Sequence, residues 1–155
     1  MLTGALIMLG LALAFVVIQM TLTWGVARRL RNYSIVDAVW SLGFAPIAAL
    51  YLFGRKYPTE QSLLFTLMVA FWSLRLGSHL ALRIAKHHPH EDVRYANFRR
   101  EWGDRFETRL FVFLQVQALA ATLLLVPIAL AAASPRPFGI ADIAAIVVLI
   151  VAVGG

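Results

Sequence analysis

Apolar residues fall into five long runs separated by short polar stretches. The runs cover about Leu2 to Ala27, Ile35 to Phe53, Gln61 to Ala85, Leu110 to Ala133, and Ile140 to the end. A helix needs ~20 residues to cross a hydrocarbon core of ~30 Å, so the first four suffice. The fifth reaches Gly155 after 16 residues with no closing charge or aromatic anchor. The pattern predicts an all-α membrane protein, a five-helix polytopic bundle in a single transmembrane domain. The first run lacks a basic flank and is too long for a signal-peptide core, so no cleavable signal is expected.

The longest polar stretch, from Lys86 to Arg109, has a pattern of its own. Tyr95, Phe98, Trp102 and Phe106 recur at helical spacing, which draws an apolar stripe along one face. Arg94, Arg99, Arg100, Glu101, Asp104 and Arg105 fill much of the rest, and Pro89 and Asp92 suit a helix start. A basic amphipathic helix of this kind is expected to lie at the cytoplasmic interface.

Composition supports the membrane reading. Hydrophobic residues make up 61% of the chain and charged residues 14%, against roughly 25% charged in a soluble domain. The net charge of +6 does not point to nucleic acid, because the basic residues sit at the ends of apolar runs, where anionic headgroups meet them. Membrane lipids are the expected partners. Cysteine is absent, which excludes disulfides, thiolate metal sites and a cysteine nucleophile. The first and third connections with their flanks hold ten Lys and Arg, against three in the second and fourth. That imbalance predicts a cytoplasmic location for the former and an amino terminus outside.

Candidate chemistry begins with Arg75, about ten residues before the cytoplasmic end of the third run. Its Cα then lies ~15 Å deep, where an unpaired charge costs ~3 kcal/mol or more. His79, Arg83 and Lys86 follow at steps of four, four and three, and all four side chains fall within about 80° on the helix wheel. The stripe suits an anionic ligand such as a dinucleotide, a phosphorylated lipid or a carboxylate. Arg83 and Lys86 also suit interface anchors, and Arg75 a carboxylate partner.

Asp37 lies two residues inside the second run. Either it pairs with Arg83 at matching depth, or it caps its own helix with Ser34. Glu91, Asp92, Arg94 and Tyr95 can position a substrate or supply a proton donor, or simply form a charged helix start. His87, His88 and His90 are interrupted by Pro89 and lack a completing ligand, so no metal site is expected. Gln115 and Gln117 point about 200° apart, and at least one is expected to hydrogen-bond to a neighbouring helix.

Ser34-Ile35-Val36-Asp37 with Trp40, Trp72-Ser73-Leu74-Arg75-Leu76, Glu91-Asp92 with Arg94-Tyr95, Trp102-Gly103, Gln115-Val116-Gln117-Ala118 and Pro127 occur in this order. Together they resemble a bacterial membrane family of unknown function in the steroid 5-alpha reductase-like superfamily, from about Ser34 to Pro127. The resemblance implies roughly seven membrane helices, a bacterial cytoplasmic (inner) membrane, and reduction of an activated carbon–carbon double bond in a lipid-like substrate with NADPH. It also implies that Arg75, His79 and Arg83 line a cavity, with the segment from Glu91 to Tyr95 closing its cytoplasmic mouth. Tyr95 is the candidate acid, and Asp37, Asp92 and Arg94 are candidate ligand contacts. The superfamily's run resembling Thr-Arg-His-Pro-Asn-Tyr is absent, so the chain is expected to be an amino-terminal portion. A lipid or isoprenyl-cysteine methyltransferase and a non-enzymatic oligomeric membrane component are the alternative readings.

Overall fold

A computed structural model describes residues 2–54, 58–133 and 137–154. Seven helices account for nearly all of them: α1 (Leu2–Leu30), α2 (Ile35–Leu42), α3 (Phe44–Phe53), α4 (Glu60–His87), α5 (Val93–Trp102), α6 (Phe106–Ala133) and α7 (Ile140–Gly154). The described residues contain no strand. Four segments are long and apolar enough to cross a membrane: Leu6–Leu30, Ile35–Phe53, Glu60–His87 and Val93–Pro127. Large apolar side chains such as Leu22, Leu74, Val116 and Leu130 stand exposed along them. In water such surface is costly; in lipid it is the solvated face. The protein is a multi-pass integral membrane protein with a helical bundle fold. Arg55, Lys56 and Arg136, counted above for orientation, lie outside the described residues.

Most helix ends follow local chemistry. α1 continues through Arg28 and Arg29, whose charges suit the negative end of the helix dipole. It then closes with the Arg31 amide on the Arg28 carbonyl and the Asn32 amide on the Ala27 carbonyl, the paired pattern of a Schellman turn. Arg31 takes the left-handed position of that turn (φ 53°). α4 opens with a capping box in which Thr59 and Ser62 exchange side-chain and backbone bonds. Asp92 caps α5, its carboxylate accepting from the Arg94 amide at 3.0 Å.

The second run differs from the single helix that its length suggests. It is interrupted at Gly43, between α2 and α3. Pro46 has no N–H to offer Leu42, and the neighbouring rung, from Ala45 to Ser41, is opened by a side chain from α4. The Ala45 amide donates to Ser73 Oγ at 3.1 Å, and that hydroxyl donates to the Ser41 carbonyl at 2.6 Å. Ser73 is fully buried. One turn on, Gly77 lets α2 come close, since a Cβ there would run into the Leu42 side chain.

The helices pack in two groups joined along α4 and α6. α1 lies against α6, while α4 packs on α2 and α3 with one side and meets α6 with another. Gln115 Nε2 reaches Thr21 Oγ1 at 3.4 Å, and Gln19 Nε2 donates to the Val39 carbonyl at 2.8 Å. The helix–helix hydrogen bond expected of the α6 glutamines is thus made by Gln115. α7 rests against α4.

The Ser73 bridge makes a testable claim. Replacing Ser73 by Ala strands an amide and a carbonyl inside the bundle, and is expected to lower stability by about 1–3 kcal/mol. Ser78→Ala removes only an exposed bond within α4 and should leave thermal unfolding in detergent unchanged. Equal melting of the two variants would refute the bridge.

Candidate functional site

The charged ends of α1, α2, α4, α5 and α6 meet at one end of the bundle, where the chain between α4 and α5 is clasped onto the turn between α1 and α2. Three acids make the clasp. Glu91 accepts from the Tyr33 amide at 2.8 Å and from Arg99 Nη2 at 3.4 Å. The Asp92 amide donates to Ser34 Oγ at 2.8 Å, while its carboxylate takes Arg94 Nε at 3.1 Å and faces Arg83 at 3.9 Å. Asp37 accepts from Arg94 Nη2 at 2.6 Å and from the Tyr95 hydroxyl at 3.2 Å.

These short links carry different weights. The Asp37 and Asp92 side chains are 26% and 20% exposed, against 62% for Arg94. The acids are therefore sunk in the protein while the guanidinium spans them from outside. Exposed ion pairs contribute little, but sunken carboxylates left without a cation would cost several kcal/mol. The hydrogen bond from Arg94, with further help from its backbone amide and from Arg83, holds the Asp92 carboxyl below its ordinary value of 3.8.

A second polar knot sits beside the first. The Tyr33 hydroxyl donates to Glu107 Oε2 at 2.6 Å, and Arg28 faces the same carboxylate at 3.9 Å. Burial, then the Glu107 hydrogen bond, push the Tyr33 hydroxyl well above the usual phenol range, so it stays a proton donor. The Arg99 guanidinium lies 4.3 Å from the Phe106 ring centroid, a cation–π contact. The stripe of Tyr95, Phe98, Trp102 and Phe106 packs inward here. Tyr95 and Phe106 are buried against Tyr33, and Phe98 stacks on Trp102 and meets Phe113 of α6.

Beneath the clasp is a cavity of about 220 Å³ lined by Val36, Asp37, Trp40, Arg94, Tyr95, Phe113, Leu114 and Gln117. Charged groups stand at one pole and apolar walls below them. Trp40 Nε1 donates to the Gln117 carbonyl at 3.4 Å and so fastens α2 to α6 across the floor.

The structure brings Asp37, Glu91, Asp92, Arg94 and Tyr95 together, with Arg83 at the edge through Asp92. It corrects two expectations. Asp37 pairs with Arg94 and Tyr95 rather than Arg83, because α5 folds back over the start of α2. It makes no cap either, since the α2 start carries no side-chain cap bond. Arg75, His79 and Arg83 are exposed on α4 and are not among the residues that line this cavity. Arg75 and His79 form no ion pair with any described residue. Among the described residues there is no His, Cys, Asp or Glu cluster able to hold a metal. Sequence reasoning missed Tyr33, Glu107 and Phe113. The spacing of Leu110, Phe113, Leu114 and Gln117 along one helix face was the available signal for the last.

Acid should loosen the clasp. With its folded pKa lowered, Asp92 contributes stability that is present above its unfolded pKa of about 3.9 and is lost as pH falls through the folded value. Tryptophan emission in nanodiscs is expected to shift below about pH 4, and Asp92→Asn should shrink that shift. An identical acid transition in the variant would count against the clasp.

The family DUF1295, described as a protein of unknown function, matches residues 23–155, a span that includes every residue of the clasp and the cavity. No curated protein and no solved structure matches the chain. The match covers most of the sequence, from the end of α1 onward, and the polar clasp lies inside it: the chain belongs to the DUF1295 family.

Proposed function

We propose that this protein binds the polar end of a lipid-like molecule beneath the clasp, as part of a double-bond reductase of the kind its sequence resembles. The observation that carries this reading is the hydrogen-bonded trio of Asp37, Arg94 and Tyr95 at the head of an apolar cavity. Small-molecule sites combine apolar walls with a few convergent polar groups in this way. The cavity also lies between helices that span the bilayer, so a lipid tail can extend from it without meeting water.

NADPH is the cofactor that the resemblance implies. The cavity of about 220 Å³ falls below the ~300–1,000 Å³ of ordinary ligand pockets, so a dinucleotide does not share it with a substrate. The exposed face of α4 offers anion-binding chemistry instead. Arg75 and His79 are free of ion pairs to described residues, and Arg83 keeps only a 3.9 Å contact with Asp92. In this reading those three residues would hold the cofactor's phosphates. When bound, NADPH supplies a hydride.

The chain's own residues have separable tasks. Arg94, fixed by two carboxylates, offers N–H groups to a substrate oxygen. Tyr95, whose hydroxyl donates to Asp37 without substrate, is the candidate acid: it would turn that single proton to the substrate oxygen to stabilise developing negative charge there. Trp40, Phe113 and Leu114 exclude water from the reacting end.

The test uses the natural protein in bacterial-lipid vesicles, with NADPH and a panel of enone-bearing lipids. Substrate-dependent NADPH oxidation is expected, with Tyr95→Phe slowed at least about tenfold, the rate equivalent of ~1.4 kcal/mol. Arg75→Gln should raise the apparent KM for NADPH. Absence of oxidation by a folded protein across the panel would refute the reductase reading, and wild-type kinetics in both variants would refute the assigned roles.

A further inference from the structure

The last turns of α4 carry positive charge that the clasp does not cancel. From Arg75 to His90 the chain has no acid and holds all four of its histidines, with Arg83 and Lys86 among them. Lys86, His87, His88 and His90 are exposed, and none of them forms an ion pair with a described residue. The acids next in line are already engaged, Glu91 by Tyr33 and Arg99, and Asp92 by Arg94. The negative end of the α4 dipole is worth about half a charge, which does not balance Arg83 and Lys86 together. α5 packs on α6 and not on α4, so it leaves this end of α4 uncovered.

Length places this charge among lipid headgroups. α4 has 28 residues, about 42 Å at the helical rise, against a hydrocarbon core of ~30 Å. The helix therefore extends past the core, and Lys86 lies in its last turn. Below Lys86 the same side of the helix is mostly apolar. Leu74, Ser78 and Leu82 are exposed and step about 40° apart around the axis, and Lys86 takes the next step. A cation at headgroup level above exposed leucines matches a molecule with an anionic head and an apolar tail. A soluble anion would meet the cation alone, and a zwitterionic lipid would bring a second cation beside Lys86.

We propose that the end of α4 binds an anionic phospholipid. Its phosphate meets Lys86, with His87 and His88 beside it, and an acyl chain lies along Leu82 and Leu74. The site uses none of the residues assigned to substrate or cofactor, so it stands apart from the reductase reading.

The test uses the whole protein, delipidated in detergent and titrated with phosphatidylglycerol or phosphatidylcholine without NADPH, and counts bound lipids by native mass spectrometry. One phosphatidylglycerol is expected to bind about fivefold more tightly than phosphatidylcholine, the discrimination due to one basic side chain at a headgroup. A triple variant with Lys86→Gln, His87→Gln and His88→Gln should lose that preference. A control with Arg29→Gln, Arg31→Gln and Arg109→Gln, at the end of α1 and the start of α6, should keep it. The comparison of the two lipids needs no variant, so a triple variant that fails to fold still leaves the proposal open to refutation. Equal binding of the two lipids, an unchanged preference in the α4 variant, or loss of the preference in the control would each overturn it. Displacement of the bound lipid by glycerol 3-phosphate would do the same, since it would assign the site to a soluble phosphate.

Discussion

The ion pair between Asp37 and Arg94 is the constraint around which this end of the bundle is arranged. A carboxylate two residues into a membrane helix must find a cation or leave the membrane. The cation comes from a residue 57 positions later, so the chain after α4 has to turn back and lay α5 over the start of α2. Once that happens, Tyr95 is buried, Phe98 and Trp102 stack toward α6, and a space with one charged pole is formed. Tyr33 and Glu107 then tie the start of α6 to the same turn. The fold of the polar end thus follows from one half-buried charge and the partner it requires.

The basic residues divide into two populations with different electrostatics. Arg94, Arg99, Arg83 and Arg28 each face an acid within 4.0 Å, so their fields are largely cancelled at short range. Arg75 and His79 on α4 have no such partner among the described residues. A positive charge beside low-dielectric helices and unscreened by counter-charge projects further than one in water. The two faces therefore differ in kind: charge is paired at the clasp, and at Arg75 it is not.

Much of the bundle was legible in the sequence because membrane helices announce themselves by length and hydropathy. The break at Gly43 was not, although Pro46 hinted at it, because the hydroxyl that fills the gap belongs to α4. The same difficulty hid the partner of Asp37. Depth matching favoured Arg83, but depth says nothing about a connection that folds back, and Arg94 approaches along a route that no periodicity encodes. The aromatic stripe of α5 was visible as a stripe, yet its periodicity did not distinguish a lipid surface from the flank of α6. In the sequence Gln117 is a polar residue in an apolar span; only the position of α2 across from it shows that it lines a cavity.

The Ser73 bridge has a bearing on how such a chain enters a bilayer. In the bent form that the bundle holds, Ser41 and Ala45 do not pair with each other, and the missing link arrives on a helix that begins at Glu60. A lone second segment held in that form would expose an unpaired amide and carbonyl to hydrocarbon, a penalty of several kcal/mol. The unit that the insertion machinery can release to lipid at low cost is therefore the hairpin of both segments, not the single span. Synthesis of α4 completes α2 and α3 as well as adding its own helix, and assembly in this half of the bundle proceeds by pairs.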